Sequence, residues 1–339
     1  MKGKCLSVAI LLFFLAGCSK ASPSLAEKPL TIGFCIDSLV LERWQKDLDA
    51  FTAEAEKLGA KVEARNANGD LELQVNQANE LINNDSISAI VILPIDGSKF
   101  SEIIAKAKSR DKIVIAYDRL ILNSAIDAFI SFDTENIAPY MMRELEKVAP
   151  KGNYLLIGGS LLDNNMKLIA EGIHRELEEN ENIQLLDEVY CDNWSSISAY
   201  RQLSAILGEN RDAKIDAVVC GNDSLAVGAI RALSEYRLAG RVAVSGQDAD
   251  LESCQRIIEG TQTMTIYKPV DLLGKKAAQV AVGLAQGFAP EGGQRWTENG
   301  YDILRCTIPI EVVTKLNMRD VIIESGFHRE EEVYMTGDG

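Results

Sequence analysis

The feature that most constrains the fold of this chain is a regular alternation of short apolar runs with longer amphipathic segments. The runs are rich in Ile and Val, as is typical of strands that are buried on both faces of a parallel sheet. The alternation predicts two open α/β sheets, because the pattern restarts after the fifth run. The predicted strands are 30–36, 61–65, 89–93, 112–117 and 128–131 in the first sheet, and 154–157, 185–190, 215–220, 242–245 and 263–266 in the second.

The amino terminus has the layout of a bacterial export signal. Lys2 and Lys4 precede one apolar run over residues 6–16, which is too short to span a bilayer as a stable helix. The run ends in Leu-Ala-Gly directly before Cys18, which resembles the lipobox of bacterial lipoproteins. We therefore expect a signal peptide over 1–17, acylation of Cys18, and a polar tether over 18–29 that holds the exported body at the periplasmic or extracellular face of a membrane. A plain secretory signal with an incidental cysteine is the alternative.

Charge and cysteine content argue against several kinds of partner and site. The net charge of −15 disfavours a nucleic-acid partner, because neutralising phosphates requires clustered Lys and Arg. Without Cys5 in the signal and Cys18 at its end, an odd number of cysteines remains, and none has CxxC spacing. A disulfide framework or a zinc site is therefore disfavoured, although one pair could still bridge, and we expect no metal and no cofactor. The remaining cysteines are Cys35, Cys191, Cys220, Cys254 and Cys306.

Polar and aromatic side chains follow most of the predicted strands. In open parallel sheets, ligands bind beyond the carboxyl ends of the strands, so these residues are candidates for one binding site. The candidates are Arg43, Trp44 and Lys46 after the first strand, followed along the chain by Asp118, Arg119, Asn164, Asn165, Trp194, Asn222, Asp248 and Lys268.

This combination of side chains suits a sugar. Aromatic rings cover the apolar faces of a pyranose, while carboxylate, amide and guanidinium groups hold its hydroxyls at the edges. Buried ions need compensation, which we expect from Asp118 beside Arg119 and from Asp248 near Lys268. For single residues a structural role is the alternative: Asn222 would also suit the start of the helix predicted over 224–236.

Longer stretches of the chain resemble the D-xylose-binding periplasmic proteins, within the class of ribose, galactose and xylose receptors. The stretches that carry the resemblance are Leu-Glu-Arg-Trp-Gln-Lys-Asp at 41–47, Ala-Tyr-Asp-Arg at 116–119, Ile-Ser-Phe-Asp at 130–133, Gly-Gly-Ser at 158–160 with Asp-Asn-Asn at 163–165, Ser-Gly-Gln-Asp-Ala-Asp at 245–250 and Gly-Thr-Gln-Thr-Met-Thr at 260–265. The resemblance implies sugar contacts at Arg43, Lys46, Asp118, Arg119, Asn165, Trp194, Asn222, Asp248 and Lys268, with Trp44 and Asn164 as secondary candidates.

The resemblance also implies an architecture and a role. The fold would be that of a type I periplasmic binding protein, with two doubly wound parallel-sheet lobes joined by a three-strand hinge. Residues 30–133 and 268–299 would form the N-terminal lobe, 134–267 and 303–328 the C-terminal lobe, and 329–339 a polar tail. The protein would close around D-xylose or a related aldose and deliver it to the permease of an ABC transporter. A sensor subunit that signals to a membrane kinase or chemoreceptor is the alternative role.

Two other functional classes find little support in the sequence. An enzyme would have only His174 and His328 as imidazole bases, and both lie in polar segments that predict exposure to solvent. The motifs GxSxG, GxGxxG and HExxH and a Walker loop are all missing. A transcriptional repressor of the same fold would need a helix-turn-helix ahead of the first strand, where the export signal lies. We therefore expect a receptor without catalytic activity.

Overall fold

The structure is a computed structural model that describes residues 30–209 and 214–335. The signal peptide over 1–17, the acylation of Cys18 and the tether over 18–29 all lie outside the described residues.

The first lobe is built on a parallel sheet with helices on both faces. Alternate side chains of one strand point to opposite faces: Phe34 meets Phe51 edge to face at 4.9 Å, while the thiol of Cys35 donates to the carbonyl of Gln74 on the other side, at 3.7 Å. In space the first five strands have the order β2-β1-β3-β4-β5. The strands are β1 Thr31–Ile36, β2 Lys61–Asn66, β3 Ile87–Ile92, β4 Ile113–Tyr117 and β5 Ala128–Phe132; the helices are α1 Glu42–Lys57, α2 Leu71–Asn83 and α3 Ser101–Lys108.

The second lobe repeats this plan on a smaller sheet. Its four parallel strands have the order β7-β6-β8-β9, and a separate antiparallel pair is formed by β10 and β13. The strands are β6 Gly152–Gly158, β7 Ile183–Tyr190, β8 Ala217–Cys220, β9 Ala243–Val244, β10 Thr265–Tyr267 and β13 Glu311–Val313. The helices are α4 Ile137–Val148, α5 Asn164–Glu179, α6 Ser196–Glu209, α7 Asp223–Glu235 and α8 Leu251–Glu259.

After β10 the chain returns to the first lobe, where it adds one helix and a hairpin. Helix α9 Val270–Ala285 packs along α1, and β12 Tyr301–Ile308 runs parallel to β5 with Leu304 opposite Ala128. Strand β11 Gln294–Glu298 is antiparallel to β12 and forms the edge of the seven-stranded sheet. The chain therefore passes between the lobes after β5, after β10 and after β12.

The hairpin corrects the predicted boundary that assigned residues from 303 onwards to the second lobe. Asn299 and Gly300 form its two-residue turn with φ values of 48° and 85°, the left-handed conformation of a type I′ turn. Such a turn sends the chain straight back along the strand it has left. Residues 301–308 must consequently stay in the first lobe, and the third crossing lies at 309–310.

The carboxyl-terminal segment packs on the second lobe and includes a π-helical turn, Arg319–Ile323, and a short helix, α10 Glu330–Val333. With α8 and β10 it encloses a separate apolar core. The prediction of a polar tail over 329–339 is wrong for its described part, because Val333 is only 1% exposed in this core. Residues 336–339 lie outside the described residues.

The cysteines of the described part of the chain are buried, unbridged thiols. Burial raises the pKa of Cys35 to about 12, so this thiol is neutral and unreactive at physiological pH. Within residues 30–209 and 214–335, no helix is long and apolar enough to cross a membrane.

Candidate functional site

A narrow cavity lies between the two lobes, with about 20 Å³ of space that the centre of a water molecule could occupy. Its walls come from the carboxyl ends of strands in both sheets, as the position of ligands in open α/β folds predicts. The structure brings most of the predicted site residues together here. Lining it are Arg43, Trp44, Asp118, Arg119, Asn165, Trp194, Asn222, Asp248 and Lys268.

Helix α1 presents Arg43 to the centre of this cavity, where three carboxylates surround it. Its Nη2 lies 2.8 Å from Oδ2 of Asp118, its Nε 3.2 Å from Oδ2 of Asp47, and its Nη1 3.5 Å from Oδ1 of Asp248. Asp47 is one helical turn away, which places it on the same face of α1. The guanidinium is 3% exposed and is therefore buried among these carboxylates.

The two carboxylates of the first lobe respond differently to this environment. Burial acts to raise the pKa of Asp118, but Arg43, Lys268 and Arg119 together hold it below its usual value. Burial raises the pKa of Asp47 to about 6, against the opposing effect of Arg43. Asp118 is therefore an anion at neutral pH, available as a hydrogen-bond acceptor on the cavity wall.

Arg119 forms a second ionic group, with partners other than the expected Asp118. Its Nη1 lies 2.6 Å from Oδ2 of Asp37 and its Nε 2.6 Å from Oδ2 of Asp163 in the second lobe. Nη1 also donates to the carbonyl of Pro94 at 3.1 Å. The φ of +59° at Asp118 turns the backbone here, so the two neighbouring side chains take different partners. Arg119 therefore makes no direct ion pair with Asp118, although it still compensates this charge by lowering the pKa of Asp118, as predicted.

The other expected ion pair is present. Nζ of Lys268 lies 2.6 Å from Oδ1 of Asp248 and donates to Oε1 of Gln247 at 3.2 Å. Lys268 stands at the second crossing, directly after β10, while Asp248 stands in the loop that follows β9. The pair therefore joins a hinge segment to the second lobe.

Aromatic rings cover the remaining walls of the cavity. Trp44 is 3% exposed, lies under the guanidinium of Arg43 at 4.1 Å, and has an indole N–H without a hydrogen-bond partner among the described residues. Trp194 packs closely on Gly159, where an added Cβ would come within 2.4 Å of the indole. A glycine is therefore required at 159 for this ring to reach the cavity.

Two asparagines make hydrogen bonds within the protein and also line the cavity. Oδ1 of Asn222 accepts from the N–H of Leu225 at 3.0 Å, so the helix-capping alternative is correct, and the same buried side chain lines the cavity. Nδ2 of Asn165 donates to Oδ1 of Asp118 at 3.0 Å, which bridges the two lobes.

Two predicted residues lie outside the cavity. Lys46 is 35% exposed, and its Nζ is paired with Oε1 of Glu42 at 2.8 Å, outside the cavity. Asn164 begins α5 and contributes to a neighbouring crevice, while Asn165 faces the cavity.

Sequence reasoning missed several residues that shape the site. Gln247, Asp163 and Asp37 lie in the segments after strands, where the rule about strand ends applies to them equally. Phe132 is the last residue of β5 and gave no polar signal. Its ring lies 5.3 Å from the guanidinium of Arg43 and 5.7 Å from Nζ of Lys268.

Fold and site together define a two-lobed solute-binding protein. The sequence of residues 32–288 matches the family model of the periplasmic binding protein domain. The chain is 43% identical to the D-xylose-binding periplasmic protein of Escherichia coli K12 over 90% of this chain and 93% of that protein, and 39% identical to the protein of the same name from Haemophilus influenzae over 96% and 98%. A carbohydrate transporter solute-binding protein from Chloroflexus aurantiacus, solved with D-glucose, superimposes with a TM-score of 0.80 at 26% identity, over 90% of this chain and 98% of that one.

The chain belongs to the periplasmic binding protein family, and its sugar-binding relatives place it among the sugar receptors of that family. The predicted resemblance and the type I fold are confirmed. The prediction of a receptor is confirmed as well, because both relatives are sugar-binding periplasmic proteins. Family membership implies an exported protein. In the described part of the chain, no group of three His, Cys, Asp or Glu side chains could hold a metal ion.

Proposed function

We propose that this protein binds D-xylose between its lobes and delivers it to an ABC transporter. The observation that carries the proposal is the arrangement of buried ionic groups from both lobes around one cavity, with aromatic rings on its walls. The proposal is supported by the 43% and 39% identity to two D-xylose-binding periplasmic proteins over most of the chain.

The proposed contacts divide into edge and face contacts. The carboxylates of Asp118 and Asp248 accept hydrogen bonds from the sugar hydroxyls. Arg43, Arg119, Lys268 and the amides of Asn165 and Asn222 donate hydrogen bonds to hydroxyl oxygens. Trp44 and Trp194 cover the apolar faces of the ring. Lys46 and Asn164 are not among these contacts, since both lie outside the cavity.

A sugar in this cavity would favour the closed arrangement of the lobes. Asp118 and Arg43 belong to the first lobe and Asp248, Asn222 and Trp194 to the second, so one ring contacts both. Contacts on both sides of a hinge are what drive closure around a ligand.

Calorimetric titration of residues 30–339 with D-xylose tests the proposal. We expect a dissociation constant of about 1 μM or tighter, which corresponds to about −8 kcal/mol. D-Glucose and D-ribose are the comparison ligands. Glucose differs from xylose by one hydroxymethyl group, and two further observations make it the main competitor: the D-glucose complex of the Chloroflexus protein and the 27% identity to a multiple sugar-binding receptor of Rhizobium radiobacter. Tighter binding of ribose or glucose would reject xylose as the ligand.

The anchor at Cys18 and the transporter are further parts of the proposal. Cys18→Ser in the full chain should abolish metabolic labelling with palmitate and release the protein in soluble form; labelling that survives would reject the anchor. Loss of xylose uptake after deletion of the gene, restored by the wild-type chain, would support delivery to a transporter. Normal uptake with a lost transcriptional response to xylose would favour the sensor role instead.

A further inference from the structure

The loop that carries Asp248 into the cavity, residues 246–250, has an unusual backbone. Asp248 and Ala249 are consecutive non-glycine residues with φ values of 102° and 55°. Residues with a Cβ rarely adopt this left-handed region, and such conformations persist only where the surroundings enforce them. The position and orientation of the Asp248 carboxylate therefore depend on the groups that hold this loop.

The N–H groups of the loop are held by the second lobe itself. They donate as follows: Asp248 to the carbonyl of Ile266 at 2.8 Å, Ala249 to Oγ1 of Thr265 at 3.2 Å, and Asp250 to Oδ2 of Asp223 at 2.9 Å. These bonds fix one edge of the loop and leave the carbonyl of Ala249 on the other.

That carbonyl is held by the carboxyl-terminal segment. Nε2 of His328 lies 2.8 Å from it, and the thiol of Cys254 donates more weakly at 3.5 Å. His328 is 7% exposed, so the expectation of a solvent-facing histidine is wrong. Burial lowers the pKa of His328, so the imidazole is neutral at pH 7. Because the carbonyl of Ala249 can only accept a hydrogen bond, the neutral imidazole of His328 must carry its proton on Nε2.

The imidazole is itself fixed in place. The rings of Phe327 and His328 meet edge to face at 4.6 Å, and Phe327 meets Tyr267 of β10 in the same way at 4.9 Å. The segment is packed on the apolar core that also contains Ala249 and Val333. His328 does not line the cavity, so it does not reach the bound ligand directly.

We propose that His328 is a positioning residue for sugar binding. Through its hydrogen bond to the Ala249 carbonyl, it holds the loop in the conformation that presents the Asp248 carboxylate to Lys268 and Arg43 in the cavity. This inference rests on the proposed function, since it assigns His328 to that site.

Two substitutions of His328, one without a hydrogen-bond donor and one with a donor, test this inference. His328→Ala removes the donor, while His328→Gln places an amide Nε2–H near the position of the imidazole Nε2–H. We expect titration with D-xylose to show at least a tenfold loss of affinity for the alanine variant and a loss below about threefold for the glutamine variant. His174→Ala is the matched control, because His174 is exposed and paired only with Glu188, at 2.6 Å. Wild-type affinity in His328→Ala would overturn the proposal.

A double-mutant cycle with Asp248→Asn separates positioning from a general structural role. If His328 acts through Asp248, the alanine substitution should weaken binding less than twofold in the Asp248→Asn background. A further tenfold loss in that background would contradict the inference.

Hydrogen exchange keeps the two proposals apart. If the wild-type protein binds none of the three sugars, the proposed function fails, but amide exchange in residues 246–250 still reports on His328. Exchange there should be faster in His328→Ala and restored in His328→Gln, with melting temperatures recorded for every variant. Unchanged loop protection in His328→Ala would reject the positioning role without reference to any ligand.

Discussion

Replacing Asp118 by asparagine isolates the charge of the central carboxylate, because the new side chain has nearly the same size. In the structure Oδ2 of Asp118 accepts a hydrogen bond from Nη2 of Arg43 at 2.8 Å, and Oδ1 accepts one from Nδ2 of Asn165 in the other lobe at 3.0 Å. The pair is 3% and 5% exposed. The change leaves a buried guanidinium with Asp47 and Asp248 as its remaining anions.

The magnitude follows from this burial. Removing one partner of a buried ion pair costs about 3–5 kcal/mol of stability, and we expect the lower end because two carboxylates remain near Arg43. Sugar affinity should fall by about 2 kcal/mol, which is roughly thirtyfold, since an anionic acceptor for hydroxyls is lost and a buried group is left imperfectly paired.

The matched control is an aspartate–arginine pair at the surface. Asp85 is 90% exposed and lies 2.5 Å from Arg110. Such exposed pairs contribute about 0–1 kcal/mol, so Asp85→Asn should leave both the melting temperature and the affinity for D-xylose nearly unchanged. Calorimetric titration and thermal unfolding by circular dichroism measure the two effects. Affinity within threefold of wild type in a folded Asp118→Asn variant would refute the reasoning.

Three other predictions test different parts of the structure. Trp194→Ala should weaken sugar binding by about 1–3 kcal/mol, because it exposes an apolar face of the ring; unchanged affinity in a titration would exclude Trp194 from the site. Phe327→Leu should speed sugar dissociation modestly in stopped-flow measurements, because Nζ of Lys46 in the first lobe lies 4.3 Å from the centre of the Phe327 ring. Exposed cation–π contacts of this kind contribute about 0.5–1 kcal/mol. Lys46→Met should have the same effect if the contact is responsible. Burial and the neighbouring Asp248 raise the pKa of Asp250 to about 8, above its unfolded value, so its contribution to stability is lost progressively as pH rises from about 4 to about 8. Melting temperatures should fall from about pH 5 to about pH 8 in wild type and fall less in Asp250→Asn, and equal slopes would contradict the assignment.

The rule that ligands bind beyond the carboxyl ends of parallel strands predicted most of the cavity, because it depends only on local sequence. Each apolar run fixes where a parallel strand ends, and the residues after it must lie at one edge of the sheet. Asp118, Trp194 and Asn222 could be located in this way without knowledge of their neighbours in space. Lys46 shows the limit: it lies three positions after Arg43 on the same side of α1, yet its side chain is paired with Glu42 outside the cavity.

Elements without a strong apolar period were harder to predict. The edge strand β11 has no fully buried residue, and the predictions contain no hairpin there, although Asn299-Gly300 is a strong hairpin signal. Helices α4 and α8 are also missing from the predicted elements, although their apolar period is strong. In α4, Pro139 occupies the first turn, where a missing N–H costs nothing.

Pairings between distant segments of the chain, within a lobe or between the lobes, could not be predicted from local sequence. Arg43 contacts Asp118 across 75 positions and Asp248 across 205. Sequence adjacency suggested that Arg119 would neutralise Asp118, yet the backbone turn at Asp118 directs Arg119 to Asp37 and Asp163. Which buried charges compensate one another depends on how the two lobes meet, and that is a property of the assembled fold.

Lys268 connects the binding site to the hinge, because its position depends on how the two lobes meet. It stands where the chain leaves β10 for the first lobe, and it pairs with Asp248, whose loop is held by the second lobe and by the carboxyl-terminal segment. Asp248 also lies 3.5 Å from Arg43 of the first lobe, so one carboxylate faces cations on both sides of the cleft. Opening the lobes would separate Arg43 from Asp248 and expose both to water, whereas Lys268 could keep its partner. A sugar hydroxyl bound to Asp248 would then meet Arg43 only on closure, which ties recognition of the ligand to the motion of the lobes.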